Sequence, residues 1–213
     1  MTTIVLIRHG QSMANLNMLF AGHFDADLSE LGRAQAELTA EEVTKRFKID
    51  RIYSSDLLRA YNTAVPISKK SGIEISPDKM LREIFAGEWE GRSFDEISEV
   101  YKEDFFVWRN DIGNSRCTGG ESTREVGERM LAAMRRIAHD NDGKTVVVAT
   151  HAAAIRALMA ICSGKDFSVM KEIPFVTNAS YSVLEVNGDS LAFVEVSRAE
   201  HLKEMCTKLP PNV

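Results

Sequence analysis

The chain has 213 residues, a formal net charge of −5 and 44% hydrophobic residues, which suits one globular domain with a full core. This composition excludes disordered chains that are poor in hydrophobic residues, and it excludes fibrous proteins. The negative charge provides no general attraction to nucleic acid or acidic membranes, so we expect neither as a partner.

Three widely spaced cysteines, Cys117, Cys162 and Cys206, argue against a disulfide framework or a thiolate zinc site. They favour a reducing compartment. The apolar run 4–7 is too short for a signal peptide and ends at Arg8, and no segment has the length needed to span a bilayer. We therefore expect a cytoplasmic protein, and the sequence leaves a homo-oligomer open.

The predicted strands are short segments that are mostly rich in β-branched residues. In chain order they cover residues 4–7, 51–53, 73–75, 145–149, 181–186 and 191–196. The first and fourth are continuous apolar runs, which is typical of strands buried on both faces. The residues between the last two, Asn187-Gly188-Asp189-Ser190, predict a tight β-hairpin.

Helices are predicted over residues 29–47, 56–71, 122–140 and 151–161. Ser29 is an expected N-cap, Ser122 with Glu125 fits a capping box, and Pro66 should kink the second helix or displace its middle. Strands that alternate with helices predict an α/β fold. We expect a three-layer sandwich with a largely parallel central sheet flanked by helices.

Residues 85–120 interrupt the alternation of strands and helices. This segment is too rich in aromatic residues for a mobile linker; they are Trp89, Phe94, Tyr101, Phe105, Phe106 and Trp108. We predict a single domain over residues 1–213, with a small lid inserted at approximately 85–120.

Basic side chains follow three of the predicted strands. Arg8 and His9 follow the first strand, His151 follows the 145–149 strand, and Arg59 lies in the helix after the 51–53 strand. Ligands of open parallel sheets bind at the carboxyl ends of the strands, so these side chains should share one edge. Arginine pairs bidentately with phosphate oxygens, and Gly10 lets the backbone approach an anion. This pattern predicts a phosphate site that requires no metal.

Phosphate-transfer chemistry also needs a nucleophile and an acid. A neutral imidazole can attack phosphorus, and neighbouring arginines favour the neutral form. The leaving alcohol needs a proton, and Glu83 is the favoured donor, with Glu88 and Glu90 as nearby alternatives.

Four segments, in this order, resemble motifs of the histidine phosphatase superfamily, the phosphoglycerate-mutase-like proteins. They are Arg8-His9-Gly10, residues 54–64, residues 81–91 and residues 150–156. The resemblance implies that His9 is the phosphohistidine nucleophile and that Glu83 is the proton donor. It also implies that the phosphate is held by Arg8, Arg59 and His151, the last of which we count among the catalytic residues.

The resemblance extends to weaker positions. Asn15 matches a phosphate-contacting asparagine, and Gly10 and Ala152 occupy backbone positions beside the phosphate. Ala152 stands where relatives usually have glycine, and Ala21 stands where many relatives have a polar side chain. At both positions this sequence departs from the motif of the family.

Three functions are compatible with this scaffold. The favoured one is a metal-independent phosphomonoesterase that acts on a small phosphorylated metabolite. The second is a phosphoglycerate mutase that uses 2,3-bisphosphoglycerate as cofactor. The resemblance implies that such mutases carry clustered basic residues in a longer lid. Here the only basic residues between positions 93 and 120 are Lys102, Arg109 and Arg116. The third is a non-catalytic phosphate-binding protein, which should have lost one of the catalytic residues.

Other charged residues receive structural interpretations. Arg82 and Arg156 are predicted to be ion-pair partners, and His23 is the one isolated histidine that fits the rim of the site. His139 and His201 are expected in surface or core roles. Aromatic residues of the 85–120 segment suggest a partly apolar leaving group.

Overall fold

The computed structural model describes residues 1–207. Its strands are β1 Thr2–Arg8, β2 Arg51–Ser54, β3 Ile75–Pro77, β4 Thr145–Thr150, β5 Tyr181–Asn187 and β6 Ser190–Arg198. Its α-helices are α1 Met13–Leu16, α2 Glu30–Arg46, α3 Leu58–Ser71, α4 Phe94–Val100, α5 Lys102–Asn110, α6 Thr123–Asp140 and α7 Ala152–Cys162. Five short 3-10 turns complete the described elements.

The six strands form one sheet in the order β3-β2-β4-β1-β5-β6. The first four are mutually parallel, whereas β5 runs antiparallel to β1 and forms a hairpin with β6. The predicted, largely parallel sheet is therefore confirmed. β3 is displaced towards the C-terminus from the predicted 73–75, because its parallel pairing with β2 sets Ile75 opposite Ile52.

Alternate residues of β1 point into two different cores. Val5 and Ile7 pack in a core shared with α2 and α3, whereas Ile4 and Leu6 pack in a core shared with α6 and α7. These four side chains are fully buried, as the continuous apolar run predicts for a strand covered on both faces. The structure confirms the three layers of helix, sheet and helix.

Local signals place most helix ends correctly. Ser29 accepts the Gly32 amide N–H at the start of α2, and Ser122 with Glu125 forms the predicted capping box of α6. Helix α3 runs through Pro66, which is buried inside it, so the middle of the helix is not displaced. No helix within residues 1–207 has both the length and the apolar character needed to cross a membrane.

The 85–120 segment is anchored to the domain by aromatic contacts. Trp89 is fully buried and contacts Phe20, Phe105 and Trp108 at ring-centroid distances between 5.4 and 6.0 Å. Its indole N–H donates to Thr118 Oγ1 at 3.0 Å, so the polar end of this buried ring is also satisfied. These contacts explain why a segment without strands is ordered; its action as a lid stays a prediction.

Candidate active site

The two candidate catalytic histidines lie side by side because β1 and β4 are paired. The last residues of these strands, Arg8 and Thr150, are register partners, and the His9 amide donates to the Thr150 carbonyl at 3.0 Å. The imidazole rings of His9 and His151 are therefore 5.1 Å apart between centroids and tilted by 62°. The expectation that strand ends bring them together is met.

His9 has its two ring nitrogens in different roles. Nδ1 lies 2.7 Å from the carbonyl oxygen of Gly10, and a carbonyl only accepts, so Nδ1 carries the proton. Nε2 of the neutral ring then keeps a free lone pair. Burial, followed by the positive charges of Arg59 and Arg8, lowers the pKa of His9 well below its ordinary value of 6.5. The neutral form that a nucleophile requires is thus favoured.

Ser55 orients the second histidine. Its hydroxyl lies 2.8 Å from Nε2 of His151, and its oxygen also accepts the Leu57 amide N–H at 3.3 Å. The hydroxyl proton is therefore available to Nε2, and the ring proton of a neutral His151 is left on Nδ1. That nitrogen is buried and has no hydrogen-bond partner among residues 1–207. Burial and the charge of Arg59 lower the pKa of His151.

Two buried guanidinium groups flank the histidines. Arg8 Nη1 donates to the Val176 carbonyl at 2.5 Å, and Arg59 donates to the carbonyls of Gly22 and Phe24 at 2.7 and 3.1 Å. In the part of the chain that the structure describes, the Nε atoms of both arginines are buried without a hydrogen-bond partner. Burial lowers the pKa of Arg8 to about 10 and also lowers that of Arg59, yet Arg8 stays cationic at neutral pH.

Among the three candidate acids, Glu83 alone lines the cavity that contains His9. Its carboxylate accepts the amide N–H groups of Ile84, Ala153 and Ala154 at 3.0 to 3.3 Å. Two of these donors belong to the first turn of α7, where amide groups have no partner within the helix. The helix end therefore fixes the Glu83 carboxyl group near Arg8 and Arg59.

Glu90 and His23 stabilise the loop whose Gly22 and Phe24 carbonyls accept hydrogen bonds from Arg59. Glu90 Oε1 accepts the amide N–H groups of His23 and Ala86, and His23 Nε2 lies 2.9 Å from the Glu83 carbonyl oxygen. Both side chains therefore connect the loop around Gly22 to the segment that holds Glu83. Glu88 is exposed, so neither alternative acid is placed like Glu83.

Asn15 and Ala152 line the cavity as expected. Asn15 Oδ1 accepts from the Ser12 amide, the Ser12 hydroxyl and Asn178 Nδ2, all at 3.1 to 3.2 Å. These three donors assign the oxygen, which leaves the Asn15 amide nitrogen as a donor for an anion.

Gly10 has a different environment from the one predicted. Its amide N–H donates to Thr63 Oγ1 at 3.0 Å, and it does not line the cavity. A Cβ atom at Gly10 would collide with the carbonyl oxygen of Gly32 in α2. Gly10 is therefore required for backbone packing, and its close approach to phosphate stays a prediction.

Sequence reasoning missed Asn178. This buried side chain donates through Nδ2 to the His9 carbonyl and to Asn15 Oδ1, both at 3.2 Å. The next residue, Ala179, has a positive φ of 57° and points its amide N–H at the carbonyls of Arg8 and His9, at 3.1 Å each. Together they hold the backbone of His9, the candidate nucleophile.

The cavity over His9 has a volume of about 750 Å³. Its apolar wall includes Phe20, Phe94 and Trp108, which supports the expected apolar contribution to the site. Arg82 forms the predicted ion pair, with Asp56 at 2.6 Å. The same prediction for Arg156 is wrong, because Arg156 lines the cavity and donates to two backbone carbonyls instead.

Comparison with known proteins identifies the family of this chain. A model of the histidine phosphatase superfamily (branch 1) matches residues 4–198. The chain belongs to the histidine phosphatase superfamily. Phosphoserine phosphatase 1 of Hydrogenobacter thermophilus is 33% identical over 204 residues, which cover 96% of each chain. The metal-independent phosphoserine phosphatase of Arabidopsis thaliana is 32% identical over 96% of this chain and 84% of its own.

Solved structures agree with this assignment. The YhfR protein of Bacillus stearothermophilus has a TM-score of 0.90 and 28% identity, over 95% of this histidine phosphatase and 100% of the compared chain. The superfamily resemblance of the four sequence motifs is therefore confirmed, as are the fold and the enzyme class, a phosphoric monoester hydrolase. The roles of individual site residues stay predictions.

Proposed function

We propose that this histidine phosphatase hydrolyses small phosphate monoesters through a phosphohistidine at His9, without a metal. One observation carries the proposal: a neutral His9 with a free Nε2 lies among Arg8, Arg59 and His151. Each of these three has a buried nitrogen that finds no hydrogen-bond partner within the described residues. Buried donors without partners are rare in folded proteins. A bound phosphate would supply the missing acceptors and neutralise both arginines.

The reaction follows from this arrangement. Nε2 of His9 attacks phosphorus, the bond from phosphorus to the alcohol oxygen breaks, and Glu83 transfers a proton to the departing oxygen. Arg8, Arg59 and His151 hold the phosphoryl oxygens during transfer. Water then attacks the phosphohistidine, Glu83 takes a proton from it, the bond from phosphorus to nitrogen breaks, and phosphate leaves with His9 restored.

Hydrolysis is favoured over the mutase reaction by the basic residues of the 85–120 segment. Arg116 is engaged by Glu125 and the Gly120 carbonyl, and Lys102 does not line the cavity, so Arg109 alone is placed at the site. The mutases that resemble this chain carry clustered basic residues in a longer insert, and residues 85–120 do not supply such a cluster to the cavity. The non-catalytic alternative is disfavoured because the sequence retains His9, Arg8, Arg59 and Glu83, and these four residues line one cavity. We further propose that residues 1–213 form one domain with residues 85–120 as its lid; cytoplasmic location and oligomeric state stay predictions.

The test is turnover of p-nitrophenyl phosphate in excess EDTA, with His9→Ala as the variant and His139→Ala as the matched control. His139 is exposed and remote from the cavity. We expect activity in EDTA, loss of turnover in His9→Ala and normal turnover in His139→Ala. Loss on chelation or an active His9→Ala enzyme contradicts the mechanism. Conversion of 3-phosphoglycerate to 2-phosphoglycerate without phosphate release would favour the mutase.

A further inference from the structure

The candidate acid Glu83 lies in a segment that is part of neither the sheet nor a helix. Residues 82–86 have no regular secondary structure and connect the 3-10 turns Lys79–Leu81 and Gly87–Trp89. Backbone N–H and C=O groups of such a segment need partners from elsewhere in the molecule, since buried groups of this kind are rarely left unpaired. Those partners therefore determine where the backbone of Glu83 lies.

Arg129 of α6 binds the backbone of this segment at three points. Its Nη1 donates to the carbonyls of Met80 and Arg82, at 2.8 and 2.9 Å, and its Nη2 donates to the Glu83 carbonyl at 3.2 Å. Its Nε and Nη2 also donate to the two carboxylate oxygens of Glu121, at 3.0 and 2.9 Å. A guanidinium group has five N–H donors, so these bonds engage all of them.

Glu121 binds the same segment on the other side of Glu83. Its Oε2 accepts the Phe85 amide N–H at 2.8 Å, and its own amide N–H donates to the Phe85 carbonyl at 2.8 Å. The side chains of Arg129 and Glu121 are only 19% and 23% exposed, and they form a bidentate ion pair. This ion pair therefore holds the backbone from residue 80 to residue 85.

The arrangement of Arg129 differs from that of the arginines near His9. Arg8 and Arg59 line the cavity, and each has a buried Nε without a hydrogen-bond partner in the described range 1–207. Arg129 does not line the cavity, and its donors are all engaged by protein atoms. It can therefore influence the reaction only through the groups that it holds.

We propose that Arg129, supported by Glu121, is a positioning residue that directs the Glu83 carboxyl group towards the leaving oxygen. This inference rests on the proposed function, in which Glu83 protonates that oxygen as its bond to phosphorus breaks. The carboxylate end of Glu83 is held by amide groups of α7, and Arg129 holds the backbone end. Proton transfer requires the acid to lie within hydrogen-bond reach of the oxygen, so a shift of this backbone weakens protonation of the leaving group first.

Two substrates of similar shape isolate the protonation step. Phenyl phosphate and p-nitrophenyl phosphate differ by one nitro group, but phenolate is a much stronger base than nitrophenolate and depends more on the acid. In Arg129→Ala we expect kcat/KM to fall about tenfold or more for phenyl phosphate and about threefold or less for p-nitrophenyl phosphate. Equal losses on the two substrates would overturn the proposal.

A double-mutant cycle tests whether Arg129 acts through Glu83. In a Glu83→Gln background, Arg129→Ala should lower kcat/KM for phenyl phosphate by a further twofold or less, about the limit of additivity, because the group that it positions is already absent. Additive losses would overturn the proposal. If Glu83→Gln alone affects both substrates equally, the acid role in the proposed function fails. If Glu83→Gln discriminates between them and Arg129→Ala does not, only the role of Arg129 fails.

Milder variants and a matched control separate positioning from general destabilisation. Arg129→Lys keeps the charge but loses the planar fork, and Glu121→Gln weakens the ion pair, so both should show a smaller loss that is still selective for phenyl phosphate. Arg136→Ala is the control, because Arg136 lies seven residues later on α6, pairs with Asp78 and does not line the cavity. It should leave the ratio of the two kcat/KM values unchanged, with urea unfolding measured for each variant. The same change of ratio in Arg136→Ala, or an unchanged ratio in both milder variants, would overturn the proposal.

Discussion

Replacement of Asn178 by alanine should damage catalysis more than stability. The substitution removes two hydrogen bonds of 3.2 Å, to the His9 carbonyl and to Asn15 Oδ1. Neither acceptor is left alone, since the His9 carbonyl keeps the Ala179 amide and Asn15 Oδ1 keeps Ser12. At about 1 kcal/mol for each bond, the free energy of unfolding should fall by about 2 kcal/mol. For a chain of this size that corresponds to a decrease in Tm of about 4–8 °C.

The catalytic loss has a separate cause. Asn178 joins the backbone of the nucleophile to Asn15, so its loss frees both groups to move relative to the phosphate. Misplacement by about 1 Å can cost about 100-fold in rate, and we expect kcat/KM for p-nitrophenyl phosphate to fall at least about tenfold. Asn178→Asp should fall further, because a carboxylate oxygen would then face two acceptor oxygens.

Asn141 provides the matched control. It is also a buried asparagine whose Nδ2 makes two hydrogen bonds, to Tyr53 and Ile137, but it lies after α6 and away from the cavity. Urea unfolding and steady-state kinetics should be measured for both alanine variants. Asn141→Ala should lose similar stability and keep its kcat/KM. If Asn178→Ala loses no more kcat/KM than Asn141→Ala, the positioning argument is refuted.

Three further predictions concern the catalytic groups. The pKa values of His9 and His151 are lowered in the folded state, so the unfolded chain binds more protons below about pH 6.5. The free energy of unfolding should therefore decrease as pH falls through that value. Urea unfolding between about pH 5 and 8 measures this free energy, and a pH-independent value would contradict the prediction. Glu83→Gln should slow the hydrolysis of alkyl phosphates about 100-fold or more. The hydrolysis of p-nitrophenyl phosphate should slow much less, since nitrophenolate leaves without a proton. Equal losses in kcat for the two kinds of substrate would exclude Glu83 as the proton donor. Ser55→Ala should raise KM for phosphate esters, because the Ser55 hydroxyl bound to Nε2 of His151 keeps the ring proton on Nδ1, which faces the ligand. The inhibition constant of inorganic phosphate should rise in parallel. Unchanged constants would argue against the orientation of His151 by Ser55.

Much of the fold follows from local sequence signals. The apolar runs of β1 and β4 are covered on both faces. The predicted hairpin joins β5 to β6 through Gly188 and Asp189, with Asn187 paired to Ser190 at the strand ends. The short helices α4 and α5 were not resolved by periodicity, because aromatic contacts with the domain determine how that segment folds. The edge strand β3 was misplaced, since only its pairing with β2 defines its register.

The sequence predicts the part of the site that lies at the carboxyl ends of the parallel strands. The rule that ligands bind at carboxyl ends locates His9, Arg59 and His151, because β1, β2 and β4 run in the same direction. Asn178 escapes the rule since β5 is antiparallel, so the residues before this strand reach the same edge. Arg156 was misassigned because the sequence does not reveal that a charged residue in a helix lacks an acidic partner.

The contact between Gly10 and Gly32 limits which sequences can carry this site. A Cβ atom on Gly10 would collide with the Gly32 carbonyl oxygen, and a Cβ atom on Gly32 would collide with the Gln11 carbonyl oxygen. Backbone cannot move aside as a flexible side chain can, so even alanine should be excluded at both positions. In a library of random variants selected for phosphatase activity, Gly32 should tolerate as little substitution as Gly10, although it belongs to none of the four motifs. A designer who grafts this site onto another scaffold would have to transfer the first turn of α2 with it.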